Sequence, residues 1–434
     1  MKLSNMAENL IGSEIIKLAG EVNERIAKGQ KIYNFTIGDF DPKLFPIPAK
    51  MNTYIQEAYQ AQETNFPAGN GIAPLRNAIS KYISHYQGLN YKAEEILVSG
   101  GARPLIYALY RTIVDKGDKV IFPVPSWNNN HYCHLSGAEA IMLEVNAEDN
   151  FMPKAKHIAP YIKEAVLVSL CSPLNPTGTV FTKESLLEIC ELILSENKRR
   201  EAENPNAKPI YLMYDQIYNM LTFDGVQHFD PVSLVPEMRN YTVFIDGISK
   251  AFTATGVRIG WGFGPSALIG KMQSILSHVG AWPPKAEQVA CSKYLADFAA
   301  IDTYLVDIKT AVYDRLKAIY TGFKNLKEKG YKVDAITPQG AIYLTIQFDL
   351  LGMKNQNTTL NTTADITAFL LEEVGLAIVP FYAFGADKNS TWYRLSVGTC
   401  PIDEIAPMFE KLEAALATFK AQIILINLYI PCYV

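Results

Sequence analysis

Cysteine is scarce in this sequence, and its spacing does not match a metal site or a disulfide framework. Six cysteines are spread over 434 residues without a C-x-x-C pair, at positions 133, 171, 190, 291, 400 and 432. This scatter argues against a zinc site and against the disulfide framework of a secreted domain. It indicates a protein of a reducing compartment that holds no metal.

Charge of one sign and long apolar runs are also lacking. The formal net charge is −4, and the densest basic run, residues 198–200, is too short to serve as an electrostatic footprint for nucleic acid. The first twenty residues lack the continuous apolar stretch of a signal peptide, and the apolar tail at 423–434 is shorter than the ~20 residues that span a bilayer. We therefore expect a cytoplasmic protein with no nucleic-acid or membrane partner.

The glycine-rich fingerprints of nucleotide-binding proteins are missing as well. No G-x-x-x-x-G-K-[ST] occurs, and the run Gly260, Gly262, Gly264 fails as a dinucleotide fingerprint because residue 265 is proline. A bound nucleotide is therefore not expected.

Short runs of β-branched and aromatic residues alternate with amphipathic stretches between residues 95 and 264. Seven runs are predicted as strands, at 96–99, 119–122, 140–143, 166–170, 210–214, 242–245 and 259–263. The alternation predicts an α/β fold with a large domain, residues 46–300, whose mostly parallel seven-stranded sheet is covered by helices. Residues 1–45 and 301–434 are predicted to form a smaller α/β domain. Its first part is predicted to contain a helix over 8–28 and a strand over 32–37, and its second part strands over 340–346 and 376–380. Ligand chemistry is then expected at the strand ends.

One lysine, Lys250, stands on a tight connection between a predicted buried strand and a run of small and hydroxyl residues. Arg258 opens a second apolar run eight residues later. An amine and an anion-binding guanidinium in one cleft are what a phosphate-bearing aldehyde cofactor requires. On local grounds alone, a loop lysine and a surface arginine remain the simpler alternative.

Further candidate residues follow the predicted strands. Gly101, Ala102 and Arg103 open a helix directly after strand 96–99, and the free N–H groups of a helix start can hold a phosphate. Asn175 lies in an N-P-T-G turn, and Asp215 ends a strand where a buried carboxylate needs a partner. Ordinary turns would explain the glycines and prolines equally well.

In order and spacing, these motifs resemble those of the fold-type I pyridoxal phosphate enzymes, specifically the class I/II aminotransferases similar to aspartate aminotransferase. The matching segments are P-S-W at 125–127, N-P-T-G at 175–178, D-x-x-Y at 215–218, S-K at 249–250, G-x-R-I-G-W at 256–261 and R-L-S at 394–396. The resemblance covers nearly the whole chain. It implies pyridoxal 5'-phosphate as the cofactor, amino-group transfer from an L-amino acid to a 2-oxo acid, and a homodimer with shared active sites.

The resemblance also implies roles for the residues around the cofactor ring. Lys250 would bond covalently to the cofactor aldehyde and then act as general base and acid on the substrate's Cα proton. Asp215 would pair with the pyridine nitrogen. Tyr218 and Asn175 would bond the 3′-oxygen, and Trp127 would stack on the ring, although a lone tryptophan is more often a core residue.

The remaining matched residues would bind anions. Gly101, Ala102, Arg103 and Arg258 fall at the cofactor-binding positions around the phosphate. The substrate's α-carboxylate would be bound by Arg394, near Gly38 and Asn175, because the planar guanidinium suits a carboxylate. A plain turn glycine at 38 and an ordinary strand arginine at 394 are the alternatives. The smaller domain would close over the substrate.

Two positions depart from the family pattern. Phe66 stands where relatives have a tyrosine whose hydroxyl reaches the neighbouring subunit's cofactor phosphate. Gly247 stands where a serine is usual, three residues before the lysine. Either other donors replace these hydroxyls or the affinity for the cofactor is lower.

Arg103 also suggests a substrate, because some relatives have a lysine at the matching place, near the side-chain carboxylate of the substrate. Aspartate or glutamate is therefore the predicted donor, and a neutral or aromatic amino acid is the alternative. A pyridoxal phosphate-dependent lyase or decarboxylase could use the same residues. A non-enzymatic regulator that retains the fold is a further alternative.

Overall fold

The computed structural model describes residues 3–10, 12 and 14–428. Its strands are β1 Tyr33–Asn34, β2 Ile96–Ser99, β3 Lys119–Val124, β4 Glu139–Glu144, β5 Ala165–Cys171, β6 Tyr211–Asp215, β7 Thr242–Gly247, β8 Gly260–Phe263, β9 Val333–Ala335, β10 Tyr343–Phe348, β11 Leu376–Ala377, β12 Val379–Pro380 and β13 Trp392–Ser396. Its α-helices are α1 Asn5–Glu8, α2 Glu14–Ala27, α3 Ala49–Gln60, α4 Ala73–Gln87, α5 Ala102–Ile113, α6 Asn129–Ser136, α7 Ala155–Ile158, α8 Lys183–Glu203, α9 Pro231–Leu234, α10 Ile248–Ala251, α11 Ser266–Val279, α12 Lys285–Tyr294, α13 Phe298–Glu328, α14 Thr363–Phe369 and α15 Ile405–Leu428.

The central sheet has seven strands in the order β2-β8-β7-β6-β5-β3-β4. The strands from β7 to β4 run parallel, and β8 is antiparallel to both of its neighbours. Most of their residues are buried, as a parallel sheet covered on both faces requires. The predicted α/β class with a mostly parallel seven-stranded sheet is confirmed.

Alternate residues of the strands pack against helices on opposite faces of this sheet. Val243 and Ile245 of β7 share a core cluster with residues of α5 and α11. Phe244, which lies between them, belongs to the other cluster, with residues of α4 and α8. This two-residue period is that of a strand, and each large apolar side chain buried this way contributes roughly 1.5–3 kcal/mol. The packing on both faces fixes the register of the strands that carry the site.

The carboxyl ends of the parallel strands meet at one edge of the sheet. β3 ends at Val124, β5 at Cys171, β6 at Asp215 and β7 at Gly247. Since parallel strands place these ends side by side, the segments that follow them converge. The predicted candidate residues at 127, 175, 218 and 250 lie in these segments.

A second, antiparallel sheet has the strand order β12-β13-β10-β9, with α13 packed against β9 and β10 and α15 packed against α13. The amino-terminal segment joins this unit because β1 pairs in parallel with β11, with Tyr33 opposite Leu376. The two-domain α/β architecture built from both termini is therefore present. The exact boundaries at residues 46 and 300 stay a prediction.

Three local expectations need correction. The helix predicted over 8–28 begins at Glu14, after the separate short helix α1, and the strand predicted over 32–37 is reduced to β1. The strand predicted over 376–380 is divided into β11 and β12, which belong to different sheets.

Of the apolar tail at 423–434, residues 429–434 lie outside the described residues. In the described part of the chain, no helix combines the length and the apolar character needed to cross a membrane.

Candidate active site

A cavity of about 530 Å³ opens at the carboxyl edge of the central sheet, where Tyr343 and Arg394 of the second sheet face the converging segments. The predicted site residues that line it are Gly38, Ala102, Arg103, Trp127, Asn175, Asp215, Tyr218, Lys250, Arg258 and Arg394. Gly101 does not line the cavity. The structure thus gathers into one place residues that are widely separated in the sequence.

Lys250 lies in the short helix α10, directly after β7, and its side chain is partly buried. Its Nζ donates a hydrogen bond to the backbone oxygen of Gly38 at 2.6 Å and lies 5.7 Å from the ring centroid of Tyr218. Burial lowers the pKa of Lys250 to about 8, opposed by Asp39 and reinforced by the arginines around the cavity. A larger fraction of neutral amine is therefore present near pH 7, as a nucleophile or base requires.

Asp215 is the last residue of β6 and stands beside Cys171 of β5. Its Oδ1 accepts a hydrogen bond from the backbone N–H of Ile217 at 3.1 Å. Burial raises the pKa of Asp215 to about 6, although Lys250 opposes this shift. Among the ion pairs of the described residues, none includes Asp215. This carboxylate fits a site that supplies a cation from a bound group.

The start of α5 forms a cradle for an anion. No side chain caps this helix, so its first N–H groups are free to bind a negative group. The guanidinium of Arg258 lies against the cradle and donates to the backbone oxygens of Gly100 at 2.9 Å and Thr255 at 2.7 Å. A Cβ on Gly101, whose φ is +97°, would lie 2.1 Å from Arg258 Nη2. Gly101 therefore makes room for the arginine rather than lining the cavity itself.

The two departures from the family pattern have structural counterparts. A Cβ on Gly247 would lie 2.8 Å from the backbone oxygen of Ile259, so the close pairing of β7 and β8 excludes a serine there. The Phe66 side chain is 84% exposed, and its ring meets that of Trp282 edge-on at 6.0 Å. The hydroxyl residues that line the cavity include Ser249 and Thr255. Sequence reasoning did not assign either of them to the site.

Arg394 projects from β13 and is only 2% exposed. Its Nη1 donates to Asn175 Oδ1 at 3.1 Å and its Nη2 to the backbone oxygen of Thr36 at 2.6 Å, whereas its buried Nε has no partner. Burial lowers the pKa of Arg394 from its usual high value. The guanidinium also lies 4.8 Å from the ring centroid of Tyr343. A buried guanidinium with an unpaired N–H fits a carboxylate.

Trp127 and Arg103 lie together on the cavity wall. The Arg103 guanidinium is 5.1 Å from the Trp127 ring, within the range of a cation–π contact. Asn129 follows Trp127 by two residues. Its Oδ1 accepts hydrogen bonds from the hydroxyls of Tyr110 at 3.1 Å and Ser169 at 2.7 Å. The tryptophan is thus part of the cavity wall, and the chain two residues after it is anchored by hydrogen bonds.

Asp39 and Tyr343 also line the cavity and were not predicted as site residues from the sequence. Asp39 follows the predicted turn glycine at 38, and its acidic side chain beside that turn was the available signal. Tyr343 was predicted to lie in a strand, but no motif singles it out. Its hydroxyl lies 2.6 Å from that of Tyr218.

These features fit pyridoxal phosphate. The amine of Lys250 suits its aldehyde, the carboxylate of Asp215 suits a protonated ring nitrogen, and the cradle at α5 with Arg258 suits its phosphate. The guanidinium of Arg394 suits a carboxylate.

Comparisons with known proteins agree with this chemistry. A family model for aminotransferase class I and II matches residues 30–412. The aspartate aminotransferase of Bacillus sp. strain YM-2 is 28% identical over 407 residues, which cover 92% of this chain and 95% of that protein. A probable aspartate/prephenate aminotransferase of Rickettsia bellii is 28% identical over 382 residues, covering 86% and 88%. The crystal structure of the aspartate aminotransferase from Rhizobium meliloti has a TM-score of 0.85 at 25% identity, covering 96% of this chain and 99% of that one.

Proposed function

This chain belongs to the family of class I and II aminotransferases, and on that premise we propose that Lys250 is its catalytic lysine. The enzyme uses pyridoxal phosphate and transfers an amino group from an amino acid to a 2-oxo acid, so the lyase and decarboxylase alternatives are not favoured. The observation that carries the assignment is the position of the Lys250 amine. The Lys250 side chain lines the same cavity as Arg258 of the phosphate cradle and the buried guanidinium of Arg394, and its pKa is lowered to about 8.

Lys250 moves the proton in this reaction. Its Nζ takes the proton from Cα of the bound amino acid and, as a general acid, would then deliver it to the C4′ carbon of the cofactor. When bound, the cofactor supplies an electron-deficient ring that accepts the electron pair of the broken Cα–H bond. Asp215 keeps the ring nitrogen protonated, while Tyr218 and Asn175 donate hydrogen bonds to the ring's 3′-oxygen. Trp127 covers one face of the ring and excludes water.

The anionic groups are held at opposite ends of the cavity. Arg258 and the N–H groups at the start of α5, from Ala102 and Arg103, bind the phosphate, and Ser249 and Thr255 supply hydroxyls in place of those that Phe66 and Gly247 cannot provide. Arg394 binds the α-carboxylate, and the adjacent backbone of Gly38 helps to orient it. Because both anions are held, Cα is brought to Lys250 in one orientation.

We further propose a dicarboxylic donor, aspartate or glutamate, whose side-chain carboxylate pairs with Arg103. The support is the position of this guanidinium on the cavity wall beside Trp127, together with the names of the relatives. A neutral or aromatic donor is the second candidate. It is favoured by Asp39, whose carboxylate also lines the cavity and would repel a second anion.

A comparison of donors tests the role of Arg103. Single-turnover reactions with aspartate, alanine and phenylalanine are followed by the absorbance of the bound cofactor. Arg103→Ala should lower kcat/KM for aspartate about 10- to 100-fold, because a charged hydrogen bond of roughly 1.5–3 kcal/mol is lost. The value for alanine should not change.

The matched control is Arg111→Ala, at the other end of α5, which should change neither donor's kinetics. Arg103→Lys keeps the charge and should recover part of the aspartate rate. Equal losses on aspartate and alanine, or no reaction of the unmodified enzyme with aspartate, would reject the dicarboxylic assignment.

Assembly, domain motion and compartment are also proposed. A homodimer is supported by the contact of the exposed Phe66 with Trp282 and by Val279, three residues before Trp282, which is 61% exposed. Residues 46–300 form the large domain, and 1–45 with 301–434 form the small domain that closes over the substrate. Light scattering of the purified protein measures the assembly, and scattering profiles with and without substrate measure the closure. A cytoplasmic location rests on the cysteine usage and is tested by cell fractionation.

A further inference from the structure

A pair of buried tyrosine hydroxyls joins the two sheets at the cavity. Tyr218 lies in the turn after β6, and Tyr343 is the first residue of β10. Their side chains are 3% and 1% exposed, their rings meet edge-on at 5.5 Å, and their hydroxyl oxygens are 2.6 Å apart. The residues are 125 positions apart in the sequence, so this contact depends on the packing of the second sheet against the first.

The structure leaves a fitted space for the Tyr343 hydroxyl. A Cβ on Gly38 would lie 2.8 Å from this oxygen, whereas the next atoms, Arg394 Nη1 and Tyr343 Cε1, would be 3.6 and 3.7 Å away. A glycine at 38 is therefore compatible with a hydroxyl on residue 343, and an alanine would collide mainly with that one atom. The Tyr343 ring also lies under the Arg394 guanidinium, at 4.8 Å.

Counting protons decides the direction of the bond between the two hydroxyls. Each phenol has one hydrogen to donate. In the proposed function, Tyr218 donates its hydrogen to the 3′-oxygen of the cofactor. Tyr343 must then be the donor within the pair, and Tyr218 the acceptor. A hydroxyl that accepts a hydrogen bond becomes a stronger donor in its own bond.

We propose that Tyr343 is a positioning residue that donates to Tyr218, and thereby strengthens the hydrogen bond from Tyr218 to the 3′-oxygen of the cofactor. The inference rests on the proposed function of Tyr218. It assigns to the second sheet a part in setting the protonation of the lysine nitrogen, in addition to the binding of the substrate carboxylate by Arg394.

Tyr343→Phe removes the hydroxyl and keeps the ring beneath Arg394. The 3′-oxygen carries more negative charge when the lysine nitrogen bound to the cofactor is neutral, so a weaker bond from Tyr218 disfavours that neutral form. The pH at which the absorbance of the bound cofactor titrates should therefore rise by about half to one unit, the equivalent of one ordinary hydrogen bond. The KM for the amino acid should change little, because the Arg394 contacts remain.

The matched control is Tyr393→Phe. Tyr393 is fully buried on β13, and its hydroxyl donates to the backbone oxygen of Thr363 at 3.3 Å, away from the cavity. This variant also loses a buried hydroxyl, but its absorbance should titrate as in the unmodified enzyme. An unchanged titration in Tyr343→Phe, or an equal shift in Tyr393→Phe, would overturn the inference.

A second measurement does not require the cofactor. In the cofactor-free protein, Gly38→Ala should lower Tm because of the 2.8 Å contact, and Gly38→Ala combined with Tyr343→Phe should recover most of that loss. If the two changes are additive instead, the fitted space for the hydroxyl is refuted. If the protein leaves the absorbance spectrum of added pyridoxal phosphate unchanged, the proposed function is overturned together with this inference. If the protein binds the cofactor and the pH titration of its absorbance is the same in Tyr343→Phe, the inference alone is overturned.

Discussion

Asp215 provides a prediction in which stability and activity change in opposite directions. In the cofactor-free protein its carboxylate is partly buried without a cation, and burial raises its pKa from 3.8 to about 6. Asp215→Asn removes the charge and keeps an oxygen that can accept the N–H of Ile217. The variant should therefore be more stable than the unmodified protein when the cofactor is absent, and less active when it is present.

The magnitude follows from the pKa shift. A rise of about two units, at 1.36 kcal/mol per unit, corresponds to about 3 kcal/mol when the carboxyl is ionised in both the folded and the unfolded protein. That condition holds above pH 6, and the penalty disappears below pH 3.8, where both states are protonated. The advantage of the asparagine variant should thus be complete at pH 8 and roughly half as large at pH 5.

Urea unfolding of cofactor-free protein at pH 5 and pH 8 measures this advantage. Asp334→Asn is a control of opposite sign. Burial alone would raise the pKa of Asp334, but the hydrogen bonds from Lys324 and Lys327 outweigh it and lower this pKa. The ionised carboxylate therefore stabilises the folded protein at pH 8, and this contribution is lost as the pH falls. Asp334→Asn should therefore destabilise the protein at pH 8.

With cofactor, Asp215→Asn should lose about 100-fold or more in kcat, because the charge that stabilises the ring is gone.

Two outcomes would refute this reasoning. If Asp215→Asn is less stable than the unmodified cofactor-free protein at both pH values, the carboxylate already has a compensating partner. If the variant retains the original kcat, Asp215 does not support the reacting ring.

Two further predictions concern Lys250 and the phosphate cradle. Lys250→Ala should abolish turnover and leave the circular dichroism spectrum unchanged, because no other amine among the described residues lines the cavity; measurable turnover would show that another group reacts. Gly101→Ala should weaken the binding of pyridoxal phosphate about tenfold or more, since the new Cβ would displace the Arg258 guanidinium and φ is positive there. Gly270→Ala, with nothing within 4 Å of its Cβ, is the control, and equal affinity in both variants would contradict the cradle.

The central sheet could be predicted from the sequence because each of its strands is a buried apolar run between turn residues. The predicted run at 210–214, for example, differs from β6 by a single residue at each end. β11 and β12 could not be separated in advance. Two-residue strands carry no periodicity, and their division depends on which sheet each backbone segment meets.

The candidate site likewise contains residues that could be predicted from the sequence and residues that could not. Asn175, Asp215 and Lys250 stand at or shortly after the carboxyl ends of parallel strands, which chain order alone brings together. Tyr343 could not be predicted, because its place in the cavity depends on how the second sheet packs against the turn that holds Tyr218. The space that Gly101 gives to Arg258 could not be predicted either, because it depends on where the guanidinium lies in the folded chain.

The length of α13 has a mechanical consequence. This helix has 31 residues, and at 1.5 Å per residue it is a rod of about 46 Å. Near its first turn Phe298 stacks on His85 at 4.1 Å, and near its last turn Phe323 packs edge-on against Phe348 of β10 at 5.5 Å. A pivot of one degree at the first end would swing the other by about 0.8 Å. Tilting this helix by only a few degrees would therefore separate the hydroxyl of Tyr343 from that of Tyr218. The 2.6 Å distance between these two oxygens thus depends on the angle between the two halves of the molecule.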